Sequence, residues 1–350
     1  MNLRLRSFVV LLAAVPVLAF VSVGSAVQPA NPGHQPDHAT VVRYWTPERV
    51  ARAVPREVSP DSGPSGFTPL ARNAGKPGGG GGSTTSSGGA QWTRAGVVKE
   101  TTGKVLFTMA GTDYVCSGSV VIDTSATTSL VLTAGHCAYD ETNHDFATHW
   151  MFVPDYEDGG SIITNPDGSH KFSCDTVPYG CWTATALVTT TAWANGNGSL
   201  AAFNDDYAFA VMGAGGKTGE AKQLDATVGA QGIAFDRKHP ATVYAFGYPQ
   251  ASPYDGQKLI YCAGTDSADT WGGTSDFGLK CNMTGGSSGG PWFVDFDPAT
   301  GIGKLNSVNS FKYTAGPLSK NMFGPYFDAY TQKTYNEALK VPSDNIAIAP

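Results

Sequence analysis

From Gln91 onward the chain is cut into short β-type runs by Gly, Asn, Asp and Pro, and this punctuation limits the fold more than any other feature. The first set of runs is Lys104 to Ala110, Tyr114 to Ile122, Leu130 to Ala134, Trp150 to Pro154, Trp182 to Thr190 and Tyr207 to Met212. The second is Ala226 to Phe235, Thr242 to Tyr248, Lys258 to Cys262, Gly278 to Asn282, Pro291 to Phe296 and Lys304 to Lys312. Each set supplies the six strands of a small barrel, one over about 97–215 and the other over about 222–326. A helical stretch follows over about 327–340, with Phe327, Tyr330, Ala338 and Leu339 as its packing residues. The expected class is all-β with a C-terminal helix, and the two barrels account for residues 91–350 without a further domain.

The chain before Gln91 reads differently. Arg4 and Arg6, the apolar run Phe8 to Val23 and the small residues Gly24, Ser25 and Ala26 have the layout of a secretory signal, 1–26, cleaved after Ala26. No later segment is long and apolar enough to span a bilayer, so a secreted protein without membrane attachment is expected. Residues 27–90 form a pro-segment and linker. Thr46 can cap and Pro47 can begin a short helix through Arg49 to Ala53, and Gly75 to Gly89 collapses to Gly, Ser and Thr, a composition that behaves as a tether. Proteolysis is expected between Lys76 and Arg94. Six cysteines in an exported chain imply three disulfides, and of the fifteen possible connectivities proximity favours Cys116 with Cys137, Cys174 with Cys181, and Cys262 with Cys281. The net charge of −6 is dispersed, so no nucleic-acid partner is expected.

Two segments carry chemistry. Ser288 lies in Gly285-Gly286-Ser287-Ser288-Gly289-Gly290-Pro291, and His136 lies in Leu132-Thr133-Ala134-Gly135-His136-Cys137. A serine hydroxyl needs a base to take its proton, and an imidazole that serves as base needs a carboxylate on its other ring nitrogen. Asp206, at the head of the apolar run through Met212, is the chosen carboxylate, with Asp205 as the alternative, because neighbouring strand residues point to opposite faces.

In these segments, and in Ala245-Phe246-Gly247-Tyr248-Pro249, the chain resembles the chymotrypsin and trypsin-like serine endopeptidases, in particular the bacterial secreted branch that includes glutamyl endopeptidase relatives. The resemblance covers nearly everything after Gln91. It implies two perpendicular six-stranded antiparallel barrels with the site in the crevice between them. Ser288 would attack the scissile carbonyl, His136 would act as base and then acid, Asp206 would orient it, and the backbone N–H groups of Gly286 and Ser288 would form the oxyanion hole. No cofactor and no metal are expected, and the partner is a protein or peptide substrate met by a monomer.

The sequence departs from that pattern in two places. Animal zymogens of the family carry an aspartate directly before the nucleophile, where Ser287 stands here, so their charge switch cannot operate; removal of the pro-segment would instead uncover the cleft or free an amine for a neutral hydrogen bond. In the specificity pocket Asn282 stands where relatives that prefer Arg or Lys have an aspartate. Ser310, Phe311 and Lys312 would form the far wall; Lys312 is expected at the solvated surface, and only if turned inward would it offer a cation to an acidic side chain. Trp150, Trp182, Trp193, Trp271 and Trp292 are expected in the core, Asp140, Glu141 and Asp145 lack the spacing of a dedicated calcium loop, and His34, His38, His144, His149, His170 and His239 show no tight metal-ligand spacing. Two other functions use the same features: a binding protein that has lost turnover, which would normally show a broken triad, and an esterase, which would differ only in its cleft.

Overall fold

The computed structural model describes residues 33–58, 86–156 and 171–350. The secretory-signal stretch and most of the glycine-rich tether, including Lys76, lie outside the described residues, but its last residues correct the tether expectation: Ser86–Gln91 is a strand, because its backbone pairs antiparallel with residues 260–263. The N-terminal segment forms α1 (His38–Tyr44), α2 (Pro47–Arg52) and β1 (Val54–Pro55). Thr46 caps α2 by accepting from the Arg49 N–H, and Pro47 opens it, as the sequence predicts. Val41, Trp45, Val50 and Ala53 of this segment are buried, and Arg49 pairs with Asp113 at 2.9 Å, so it docks on the body of the protein.

That body begins with β2 (Ser86–Gln91), α3 (Val97–Thr101), β3 (Thr102–Met109), β4 (Thr112–Val121) and β5 (Ser129–Thr133), followed by the hairpin β6 (Tyr139–Asp140) and β7 (Asp145–Phe146) and then β8 (Thr148–Pro154). After these come β9 (Trp182–Thr190), α4 (Thr191–Ala194) and β10 (Ala208–Met212). Strands β3, β4, β5, β10, β9 and β8 close a ring of antiparallel pairs, so the barrel has no free edge around its circumference. β1 adds in parallel to β4 outside that ring.

The second half comprises α5 (Leu224–Val228), β11 (Gly232–Ile233), β12 (Thr242–Gly247), β13 (Ile260–Thr265), β14 (Ser267–Ala268), β15 (Phe277–Lys280), β16 (Pro291–Asp297), β17 (Ile302–Val308) and β18 (Asn321–Gly324). Its strands run β11-β17-β16-β12-β13-β2 in one sheet and β14-β15-β18 in another, with a bridge between Phe311 and Phe323 joining them. Two strand expectations are corrected here. Ala226 to Phe235 is not one strand: Leu224–Val228 is helical, Gly229 stops it at φ +78°, and only Gly232–Ile233 pairs, in parallel with β17. Asn321–Gly324 is a strand that the sequence does not announce, because four residues are too few to display alternation.

The C-terminal helix is α6 (Ala329–Ala338), closed at its start by a capping box of Asp328 and Thr331, and β19 (Ile346–Ile348) adds in parallel to β9. Trp150, Trp182, Trp193 and Trp292 are fully buried, each contributing about 2–3 kcal/mol by burial, whereas Trp271 is 56% exposed and corrects the expectation that it packs in the core. All three favoured disulfides are present: Cys116–Cys137, Cys174–Cys181 and Cys262–Cys281. Among the described residues no helix is long and apolar enough to cross a membrane.

Candidate active site

His136 and Asp206 meet because their strands are paired. β5 runs into the tight turn Gly135–Cys137, β10 follows Asp206, and the register sets Ala208 opposite Thr133, so the two side chains emerge at the same end of the ring. The Cys116–Cys137 disulfide ties that turn back to β4, a constraint worth about 3 kcal/mol in the chain-entropy picture. Asp206 Oδ1 accepts from the backbone N–H of His136 at 2.8 Å, and Oδ2 lies 2.8 Å from His136 Nδ1. Oδ2 also accepts from the Ser310 hydroxyl. Both residues are fully buried, so this carboxylate is desolvated but filled with donors. Asp205 faces elsewhere; burial and the nearby Asp328 carboxylate raise its carboxyl to about 6.

Ser288 lies in the loop between β15 and β16. Ser117 of β4 joins this loop to the first barrel: its hydroxyl donates to the Gly286 carbonyl at 2.8 Å and accepts from the Tyr248 N–H at 2.9 Å, while its own N–H donates to the Ser288 carbonyl at 2.7 Å. A serine inside a β-run gives no hint of this role in the sequence. Gly286 has φ +96°, and a Cβ there would fall 2.9 Å from the Tyr248 carbonyl oxygen, so glycine is the residue the turn allows. Among the described residues no acceptor is bonded to the backbone N–H of Gly286 or of Ser288. The Ser288 hydroxyl donates to the carbonyl of Arg56 at 3.4 Å, and His136 Nε2 is buried with no hydrogen-bond partner among the described residues.

A cavity beside Ser288 is lined by Gly285, Ser310, Phe311, Lys312 and Met322, with Glu57 also present. Lys312 is not a solvated surface lysine. Its ammonium donates to the carbonyls of Cys281 at 2.8 Å and Met283 at 3.4 Å, and burial pulls its pKa down to about 8 against the upward pull of Glu57. Asn282 does not line this cavity; its side-chain oxygen accepts from the Gly89 N–H and from Tyr254 at 2.7 Å. Asp140 and Glu141 sit against the Arg56 guanidinium, at 3.7 and 3.0 Å. Cys116, Cys137 and His136 lie close together, but both sulfurs are in the disulfide and offer no thiolate to a metal.

No protein-family model matches the sequence, and no curated protein matches it. Among solved structures the chain is similar to the protease Anisep from Arthrobacter nicotinovorans, with 39% identity over 69% of this chain and 96% of that one, at a TM-score of 0.55. It is similar as well to the thermostable serine protease AL20 from an extremophilic microorganism, with 38% identity over 70% of this chain and 100% of that one, at a TM-score of 0.56. Identity at that level across almost the whole of both proteases makes this chain a member of their family, the chymotrypsin-like serine proteases.

Proposed function

We propose that the chain is an exported, monomeric serine endopeptidase that hydrolyses peptide bonds through an acyl-enzyme on Ser288, and that the residues ahead of β2 are a pro-segment absent from the working enzyme. The observation that carries this reading is the buried Asp206–His136 pair, set against the Ser288 loop in a chain 39% identical to a protease. Ser288 Oγ attacks the scissile carbonyl carbon while His136 Nε2 takes its proton. Asp206 holds Nδ1 and stabilises the imidazolium. The tetrahedral oxygen lies against the N–H groups of Gly286 and Ser288, each such donor contributing about 3–4 kcal/mol to the transition state. The amine then leaves with the proton from Nε2, and water, activated by the same nitrogen, releases the acyl group. Three disulfides suit an oxidising extracellular setting. In the cavity the Lys312 ammonium favours an acidic side chain on the residue before the cut.

Treatment of the trimmed protein with an organophosphonate probe, followed by mapping of the adduct, tests the assignment. The expected result is a single adduct on Ser288, absent from His136→Ala. An adduct elsewhere, or one that survives loss of the imidazole, would overturn it.

A further inference from the structure

The stretch from Ala53 to Val58 lies inside the cleft. It enters as β1 beside β4, where the Arg56 N–H donates to the Val115 carbonyl at 3.3 Å. Gln250 Nε2 donates to the Ala53 carbonyl at 2.7 Å, and the buried Lys104 ammonium holds Gln250 from the other side at 3.2 Å. Arg56 is 2% exposed. Its Nε donates to the His136 carbonyl at 2.6 Å, its Nη2 lies 3.0 Å from Glu141 and 3.7 Å from Asp140, and its own carbonyl accepts from Ser288 Oγ. One residue therefore touches both His136 and Ser288. Glu57 follows it into the cavity that Lys312 lines, where a side chain on Gly285 would collide with the Glu57 carboxylate.

This occupant is not placed to be cut. Acyl transfer needs the carbonyl carbon of the residue whose side chain fills the cavity, brought against the nucleophile with its oxygen at the waiting N–H groups. The cavity holds Glu57, yet the carbonyl beside Ser288 belongs to Arg56, one residue earlier, and the hydroxyl gives its hydrogen bond to that oxygen instead of to His136 Nε2. A guanidinium enclosed by two buried carboxylates is, in addition, a strong anchor, because withdrawing it leaves both charges buried and uncompensated.

We infer that Ala53–Val58 is a built-in inhibitor of the cleft, locked by Arg56 in a guanidinium site made of Glu141, Asp140 and the His136 carbonyl. The inference rests on the serine-hydrolase reading of Ser288. It specifies which residues close the site and which contact must break to open it.

The test uses the full chain and the rate at which an organophosphonate ester modifies Ser288, followed by intact mass. The wild type reacts slowly, and Arg56→Ala reacts about tenfold faster or more. Arg56→Lys falls between them, because an ammonium keeps the charge but cannot fork to Glu141 and the His136 carbonyl together. Glu57→Gln, which leaves the ion cluster untouched, also reacts faster than wild type and serves as the deciding variant if Arg56→Ala shows no cooperative melting. Equal rates in wild type, Arg56→Ala and Glu57→Gln, with the adduct on Ser288, would overturn the inhibitor and leave the hydrolase reading standing. No adduct on Ser288 in any folded variant would remove both.

Discussion

The two walls of the cleft differ in how finished they are. On the first-barrel side Asp206 accepts from the N–H and the ring of His136 at the end of a closed ring of strands, and a third donor, Ser310, reaches it from the opposite wall. On the other side the strands fall into two sheets, Ser288 sits in a glycine-rich loop, and its hydroxyl is bonded to a residue of the N-terminal segment. The base and its orienting carboxylate are thus fixed by the core itself, whereas the nucleophile's hydrogen bond depends on what occupies the cleft. The difference places control on the serine side: an occupant can divert Ser288 without disturbing the buried pair.

The largest effect that could break this contrast comes from Asp206→Asn. An amide of the same shape keeps the packing but holds the imidazole in the wrong tautomer, and kcat is expected to fall about 10⁴-fold. The melting temperature should move far less, since the His136 N–H keeps Oδ1 as its acceptor and the Ser310 hydroxyl can turn to accept from the new amide. Peptide hydrolysis by the trimmed protein, read beside its melting curve, checks both halves. A loss of only a few fold would mean that the finished wall is not the one that catalysis uses.

The sequence discloses the parts of this site that depend on local rules. Ser288 and His136 stand in short motifs whose glycines and cysteine speak for themselves, and Asp206 heads a buried run whose pairing with β5 follows from strand alternation. Thr46 and Pro47 announce α2 for the same reason. Other features arise from contacts that no local pattern records. Arg56 reaches Glu141 across 85 positions, and one more arginine in a segment that also holds Arg43, Arg49 and Arg52 looks solvated until that segment is docked. Lys312 reads as a surface lysine because nothing nearby in the chain shows that the carbonyls of Cys281 and Met283 will hold it inward. Ser117 bonds to three positions of the opposite wall, yet in the sequence it is one more serine in a strand.

A medium-sized effect sharpens the serine side. Replacing Lys312 by Met removes the cation but keeps much of the stem's volume, so preference for Glu over Leu before the cut should fall roughly 10- to 100-fold, within the range expected for loss of a partly desolvated charge pair. The sign of the pH dependence follows from burial. The ammonium is charged below about 8 and neutral above it, so the preference holds at pH 6 and fades as pH rises through 8. Glu57 raises that value while it lies in the cavity, and the midpoint in the working enzyme is therefore expected somewhat lower. Profiling a peptide library at pH 6 and pH 9 reads both effects; equal cleavage after Glu and Leu at pH 6 would remove Lys312 from the selection of substrate.

An effect read on stability probes how dry the finished wall is. Asp276 is fully buried, and burial, opposed by the neighbouring Thr274 hydroxyl and aided by the charges of Asp206, Asp269 and Asp205, raises its carboxyl to about 8. A carboxyl whose folded value is raised keeps a proton that the unfolded chain has already released. Stability is then fully present below about pH 4, declines as pH rises toward 8, and levels off above. Asp276→Asn carries no such proton, so its melting temperature should fall less than that of the wild type between pH 5 and pH 8, by roughly 7–15 °C at about 1.4 kcal/mol per pH unit and 2–4 °C per kcal/mol. Asp205, raised to about 6, titrates within the same window in both proteins and cancels from the difference. Parallel curves for the two proteins would mean that water reaches Asp276 and that the medium behind Asp206 is wetter than its burial implies. A flatter curve for the variant would show that the carboxylate orienting His136 has a neutral acid, not a second negative charge, at its back.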